Sequence, residues 1–143
     1  MNTLKLSIII CFSILYSLTS LSEVNPKSSI EIESFDSIPS GIDGGYCVFF
    51  KYPSKMRNNG HIMVNDLATT AYMMINHRIE EFTLVTNRKN VFWYKNKKIS
   101  LKVIICHTQN KSYGESYNVK GLLIVEDYNK NQQKLAFYGN CSW

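Results

Sequence analysis

The chain has 143 residues, of which 45% are hydrophobic and 13% aromatic, with 16 Lys and Arg against 11 Asp and Glu for a formal charge of +5. That length fits one domain and leaves no room for a doubly wound nucleotide-binding fold or a large barrel enzyme. The apolar content is that of a globular core and too high for a disordered chain.

Residues 1–22 read as a secretory signal peptide. Lys5 supplies the positive start, residues 6–18 form an apolar stretch broken only by Ser7, Ser13 and Ser17, and Ser20 and Ser22 place small residues just ahead of a cleavage point before Glu23. The apolar run falls short of the roughly 20 residues that a membrane-spanning helix needs. The mature protein is therefore expected to be periplasmic or secreted, with no membrane insertion after cleavage. Residues 23–43 follow as an acidic leader rich in Ser, Pro and Gly. Their alternation at Ile30, Ile32 and Phe35 offers an edge strand, but the composition favours a flexible tether. Glu23, Glu31, Glu33, Asp36 and Asp43 face only Lys27 there, whereas from Gly44 onward 14 basic residues stand against 6 acidic ones, a net +8.

From Gly44 the texture becomes short β-type runs separated by Asn, Gly and Lys clusters. Residues 46–52 are dense in aromatics and Val and stop at Pro53. Residues 60–65 and 69–76 follow, with Asp66 at the bend. Leu67, Ala68, Ala71, Met73 and Met74 would tolerate a helical turn, but Thr69, Thr70, Tyr72 and Ile75 favour the pleat. Asn76-His77 sits where a two-residue hairpin turn belongs. Residues 78–85, 91–95, 99–108, 116–126 and 133–140 complete about eight strands, with polar turns at Asn96-Lys97 and around residues 128–131. A run of hairpins at this spacing predicts an all-β domain over residues 44–143, an antiparallel meander closed as a small barrel or packed as a sandwich.

Three cysteines remain in the mature part. In an oxidising compartment Cys47, in the first strand, and Cys141, at the C-terminus, are the leading pair for a disulfide bond tying the two ends together; Cys106 with either of them, and three free thiols or a bridge to another molecule, are the alternatives. Cys106 beside His107 is a poor catalytic pair, because neighbours on a strand face apart, and Cys106 is expected to be buried as a small hydrophobe in the run from Val103. His61, His77 and His107 lack metal-ligand spacing, no glycine-rich phosphate loop is present, and the doublets Glu80-Glu81 and Glu126-Asp127 face apart in the same way. No catalytic residue, metal or cofactor is predicted.

The distinctive run is Arg88-Lys89-Asn90-Val91-Phe92-Trp93-Tyr94-Lys95-Asn96-Lys97-Lys98, in which basic residues bracket three consecutive aromatics. Alternation places Phe92 and Tyr94 on one face and Val91, Trp93 and Lys95 on the other. Arg88, Lys89, Trp93, Tyr94, Lys97 and Lys98 are the candidate binding residues: stacking groups beside positive charge suit a glycan or an acidic protein, whereas export argues against nucleic acid.

Tyr46-Cys47-Val48-Phe49-Phe50, Thr70-Ala71-Tyr72-Met73-Met74-Ile75-Asn76 and Tyr138-Gly139-Asn140-Cys141 resemble elements of small exported Gram-negative β-proteins. In layout the chain is also similar to the periplasmic C-type lysozyme inhibitors, a resemblance that implies an eight-stranded barrel closed by a disulfide. The Ser-Gly motif of that family is not matched, since Lys111-Ser112-Tyr113-Gly114 interposes Tyr113, and no inhibitory residue is carried over. The expectation is an exported monomeric binding protein; a small hydrolase or thiol enzyme using Cys106 is the alternative.

Overall fold

Strict in–out alternation along successive strands builds the molecule. The structure is a computed structural model that describes residues 30–51, 60–66, 68–110 and 116–142. The expected signal peptide, the first part of the leader and the Lys111–Gly114 segment lie outside the described residues. The strands are β1 (Ile32–Glu33), β2 (Tyr46–Lys51), β3 (Met63–Asn65), β4 (Thr70–Ile75), β5 (Arg78–Arg88), β6 (Val91–Lys95), β7 (Ile99–Asn110), β8 (Ser116–Asp127) and β9 (Gln132–Ser142). From β2 to β9 each strand pairs antiparallel with the next, and β9 pairs back onto β2, so eight strands close into an up-and-down barrel with β1 added beside β4. The stretch around residues 69–76 is strand, as its β-branched and aromatic residues require.

Local chemistry sets the turns. Asn76 and His77 both adopt left-handed backbone, with φ of 49° and 65°, the mirror-image turn that matches the right-handed twist of a hairpin. At the β3–β4 bend Asp66 Oδ1 accepts from the backbone N–H groups of Ala68, Thr69 and Thr70 at 2.8–2.9 Å. Burial alone would raise this carboxyl, but these hydrogen bonds together with that from the Thr69 hydroxyl outweigh it and hold Asp66 below the usual carboxylate range. Asn96 accepts from Lys98 and Ile99 N–H at the β6–β7 turn. Asp127 accepts from Asn129 and Asn131 N–H at β8–β9.

Inward positions fill the barrel. Phe49, Met63, Met73, Phe82, Leu101, Val103, Val119, Leu123, Val125 and Phe137 are all buried in one cluster, as expected of an eight-stranded barrel whose interior is just wide enough for side chains. At the closing seam Phe49 lies opposite Gly139. A Cβ on Gly139 would come within 2.6 Å of Phe49 Cδ1 and 2.8 Å of Val119 Cγ2. The missing side chain is what lets Phe49 stack on Phe137, with ring centroids 4.2 Å apart. Cys47 and Cys141 are also register partners across this seam and form the disulfide, with Cα atoms 4.0 Å apart at a sequence separation of 94.

A second apolar cluster lies outside the barrel, and the leader covers it. Rather than a flexible tether, the chain from Ile30 onward docks on the wall formed by β2, β3 and β4. Ile32 and Glu33 pair with Ile75 and Met74, and Phe35 exchanges backbone hydrogen bonds of 2.9 and 3.0 Å with His61. Phe35, Val64 and Tyr72 are buried together, with Ile42, Tyr46, Val48 and Met74 packed around them. Composition hid this, because the outward residues of those three strands are apolar enough to need a cover. His61, only 6% exposed, is the clasp. Its Nε2 lies 3.0 Å from the Ser37 carbonyl, and its ring meets Phe35 edge-on at 4.3 Å. Burial lowers its pKa, outweighing the hydrogen bond to Ser37 and the charge of Asp36, which act the other way.

Two outcomes follow from these contacts. Replacing both cysteines (Cys47→Ala with Cys141→Ala) should lower unfolding stability by about 2–5 kcal/mol through the freed denatured chain; a urea midpoint equal to that of the unreduced parent would show that the bridge does not form. For His61, a folded-state pKa below the unfolded one means that the unfolded chain takes up its proton first. Stability is therefore lost as pH falls through about 6.5, well above the range in which carboxylates titrate. The urea midpoint should drop between about pH 7 and pH 5 in the parent and drop less in His61→Phe; equal drops would contradict the assignment.

Candidate functional site

Because β6 runs antiparallel to both of its neighbours, its two turns lie at opposite ends of the barrel, and this divides the basic aromatic run. Arg88 ends β5 and Lys89 occupies the β5–β6 turn, where it adopts φ 52°. Lys97 and Lys98 lie in the β6–β7 turn at the other rim, eight residues along, or about 25 Å of extended chain. All four are exposed, but they do not form one patch. Tyr94 is 3% exposed and belongs to the interior cluster with Phe92, so its ring offers no outward stacking face. Of the three aromatics only Trp93 points outward, and it is half-buried.

What the fold brings to Trp93 comes from neighbouring strands. Thr86 on β5 and Lys102 on β7 are its register partners, and Lys102 Nζ sits 5.4 Å from the ring centroid, within cation–π range. A bulge between Leu84 and Thr86 pushes Val85 outward to 53% exposure. Val85, Thr86, Arg88, Trp93, Tyr94, Lys95 and Ser100 then line an open cleft of about 470 Å³, with no acidic residue in its lining. Lys102 and Val85 were not legible as site residues. The first depends on the β6–β7 register, and the second on one extra residue that resets the alternation.

A second bulge, between Ile105 and His107 on β7, overturns the expectation for Cys106. It is the unpaired extra residue, so its thiol is exposed and free rather than packed as a core hydrophobe. The acidic doublets serve local structure. Glu80 accepts from Asn96 Nδ2 at 3.2 Å, Glu126 pairs with Lys130 at 3.0 Å, and Asp127 organises its turn. The donor set that could hold a cation is Glu31, Glu33 and His77, whose ligand atoms lie within 4.8 Å of one another. It is open to solvent, and both Glu33 oxygens are already engaged, by the His77 backbone N–H at 2.6 Å and by its Nδ1 at 2.9 Å. The spacing of the histidines could not show it, because the leader brings in two of the three groups.

A different recess opens at the end of the barrel that carries the β3–β4 and β5–β6 turns. Inward-facing Phe49, Asn65, Phe92, Tyr94, Ile105 and Tyr117, with Cys47 of the disulfide, line a half-enclosed cavity of about 200 Å³. Burial pushes the Tyr94 phenol well above its ordinary pKa, the charge of Asp66 adding to the effect, and burial raises Tyr117 too. Both phenols therefore keep their protons at neutral pH. Comparison with family models, with curated proteins and with solved structures returned no match for this chain.

Proposed function

We propose that this chain is an exported binding protein that engages an acidic glycan or acidic protein through the outer wall of β5, β6 and β7. The observation that carries this reading is the cleft around Trp93. An indole already held under a lysine ammonium, with Arg88 and Lys95 at its edge and no carboxylate in the lining, is suited to stack a sugar or apolar group while neutralising a nearby anion. Of the acidic residues, Glu31, Glu33 and Asp36 belong to the leader beside β4, while Glu80 and Glu81 lie on β5 and Glu126 stands opposite Ser100. A buried disulfide is compatible with an oxidising compartment, and periplasmic or secreted residence is part of the proposal. The same holds for a monomeric state, since β2 and β9 pair with each other across the seam rather than both standing as edges.

The test uses heparin as the acidic glycan and poly-glutamate as the acidic polypeptide. Binding at low salt should weaken by about tenfold or more in Lys95→Glu with Lys102→Glu, and lose most of its salt dependence. Trp93→Ala should weaken heparin more than poly-glutamate if a sugar ring stacks there. Lys97→Glu with Lys98→Glu, at the far rim, should have the smaller effect. Binding that is unchanged in the Lys95 and Lys102 variant would remove the cleft from consideration.

A further inference from the structure

The recess in the barrel mouth opens inside the wall whose outer face carries the cleft, and Tyr94 lines both. It faces inward, shares none of the basic residues, and is built from the alternate positions of β2, β3, β6, β7 and β8. Its walls are of one kind: the rings of Phe49, Phe92, Tyr94 and Tyr117, the side chain of Ile105 and the disulfide half at Cys47, with Asn65 supplying an amide. Below it the barrel is filled by stacked Phe49 and Phe137 and by the rest of the interior cluster, so the recess is a closed-ended pocket rather than a channel.

Size, charge and polarity together restrict what it can take. An apolar protein cavity of about 150 Å³ accommodates a benzene ring, so about 200 Å³ holds one ring with a substituent, or a small fused bicycle, and excludes an acyl chain or a sugar chain. No residue in the lining carries a formal charge at neutral pH, and an ionised ligand would lose its hydration without gaining a counter-charge. The polar groups are few and placed among aromatics. Asn65 is 4% exposed, and its amide can both donate and accept. Tyr94 is 3% exposed, and its phenol lines the recess. Its protonated hydroxyl is a donor at the wall of an aromatic pocket, where a ligand acceptor can take its hydrogen.

We propose that this mouth is a binding site for small uncharged planar aromatics bearing a single hydrogen-bonding group, the chemical class of phenols and indoles. The aromatic walls stack on the ring, and Tyr94 with Asn65 reads the polar substituent. Such a ligand is too small to bind tightly. Its size sets an expected Kd on the order of 0.1–1 mM.

The full chain is titrated with phenol and indole, and with benzoate as the charged comparator of similar shape, by ligand-observed NMR and by shift of the thermal midpoint. Phenol and indole should bind and raise the midpoint, with benzoate at least about tenfold weaker. Tyr94→Phe, which preserves the ring, should weaken phenol by about five- to tenfold while leaving the β-sheet circular dichroism unchanged. Ile105→Trp should fill the pocket and abolish binding; if that variant does not fold, Tyr94→Phe still decides. Lys95→Glu with Lys102→Glu should leave phenol binding intact, which separates this site from the outer cleft. A mouth occupied by water only, seen as no binding of phenol or indole by the parent, overturns the proposal. So does equal binding of benzoate, or phenol affinity that is indifferent to both mouth variants.

Discussion

The seam between β2 and β9 is the constraint on which the rest of the structure depends. Every other pairing within the barrel joins strands adjacent in sequence, whereas this one joins strands at the two ends of the domain, with Cys47 and Cys141 94 positions apart. Closing so long a loop carries the largest chain-entropy cost in the fold. Two features of the seam offset it: the disulfide, which restrains the unfolded chain, and Gly139, whose missing side chain admits Phe49 onto Phe137. Without that closure β2 and β9 would be edges, the inward aromatics would lose their facing wall, and the mouth recess, which needs Cys47 and Phe49 on one side and Tyr94 and Tyr117 on others, would not exist.

The docked leader solves a different problem. Ile30 and Ile32 of the leader pack against the interior cluster, and β2, β3 and β4 also carry Tyr46, Val48, Val64, Tyr72 and Met74 on the outside. Phe35 and Ile42 cover that surface, and the backbone pairing of Phe35 with His61 fixes the path of the cover. Gly41 shows how close the approach is, since a Cβ there would run into the Tyr72 hydroxyl. The neutral, buried imidazole of His61 couples this packing to pH. The acidic residues Glu31, Glu33 and Asp36 travel with the leader to the β4 side of the barrel.

Part of the candidate surface was legible in the sequence. The run from Arg88 to Lys98 contains an outward indole, Trp93, and the alternation of Phe92 and Tyr94 against it is as expected. Its weakness lay in treating residues adjacent in sequence as adjacent in space. A strand of five residues separates its flanking turns by the height of the barrel, so Lys97 and Lys98 leave the neighbourhood of Arg88. The lysine that does sit on Trp93 is Lys102, on the next strand. The mouth recess left no sequence signal at all, because Asn65, Tyr94 and Tyr117 are 29 and 23 residues apart and read individually as ordinary strand residues.

The sequence by itself determined the all-β class, the order of the hairpins and the turns at Asn76-His77, Asn96 and residues 128–131. These are local matters of side-chain period and of which residues accept unusual backbone. It also singled out Cys47 and Cys141 as the leading pair, because the two ends of a strand meander are the parts that closure brings together. Only the tertiary structure decided that the sheet closes as a barrel, that the leader is a cover, that Cys106 faces solvent, and which side chains meet at Trp93 and in the mouth. The physical reason is common to all four. A period of two assigns faces along one strand, but a single bulge residue resets it. Which faces then meet depends on register between strands, set by the packing of the whole interior.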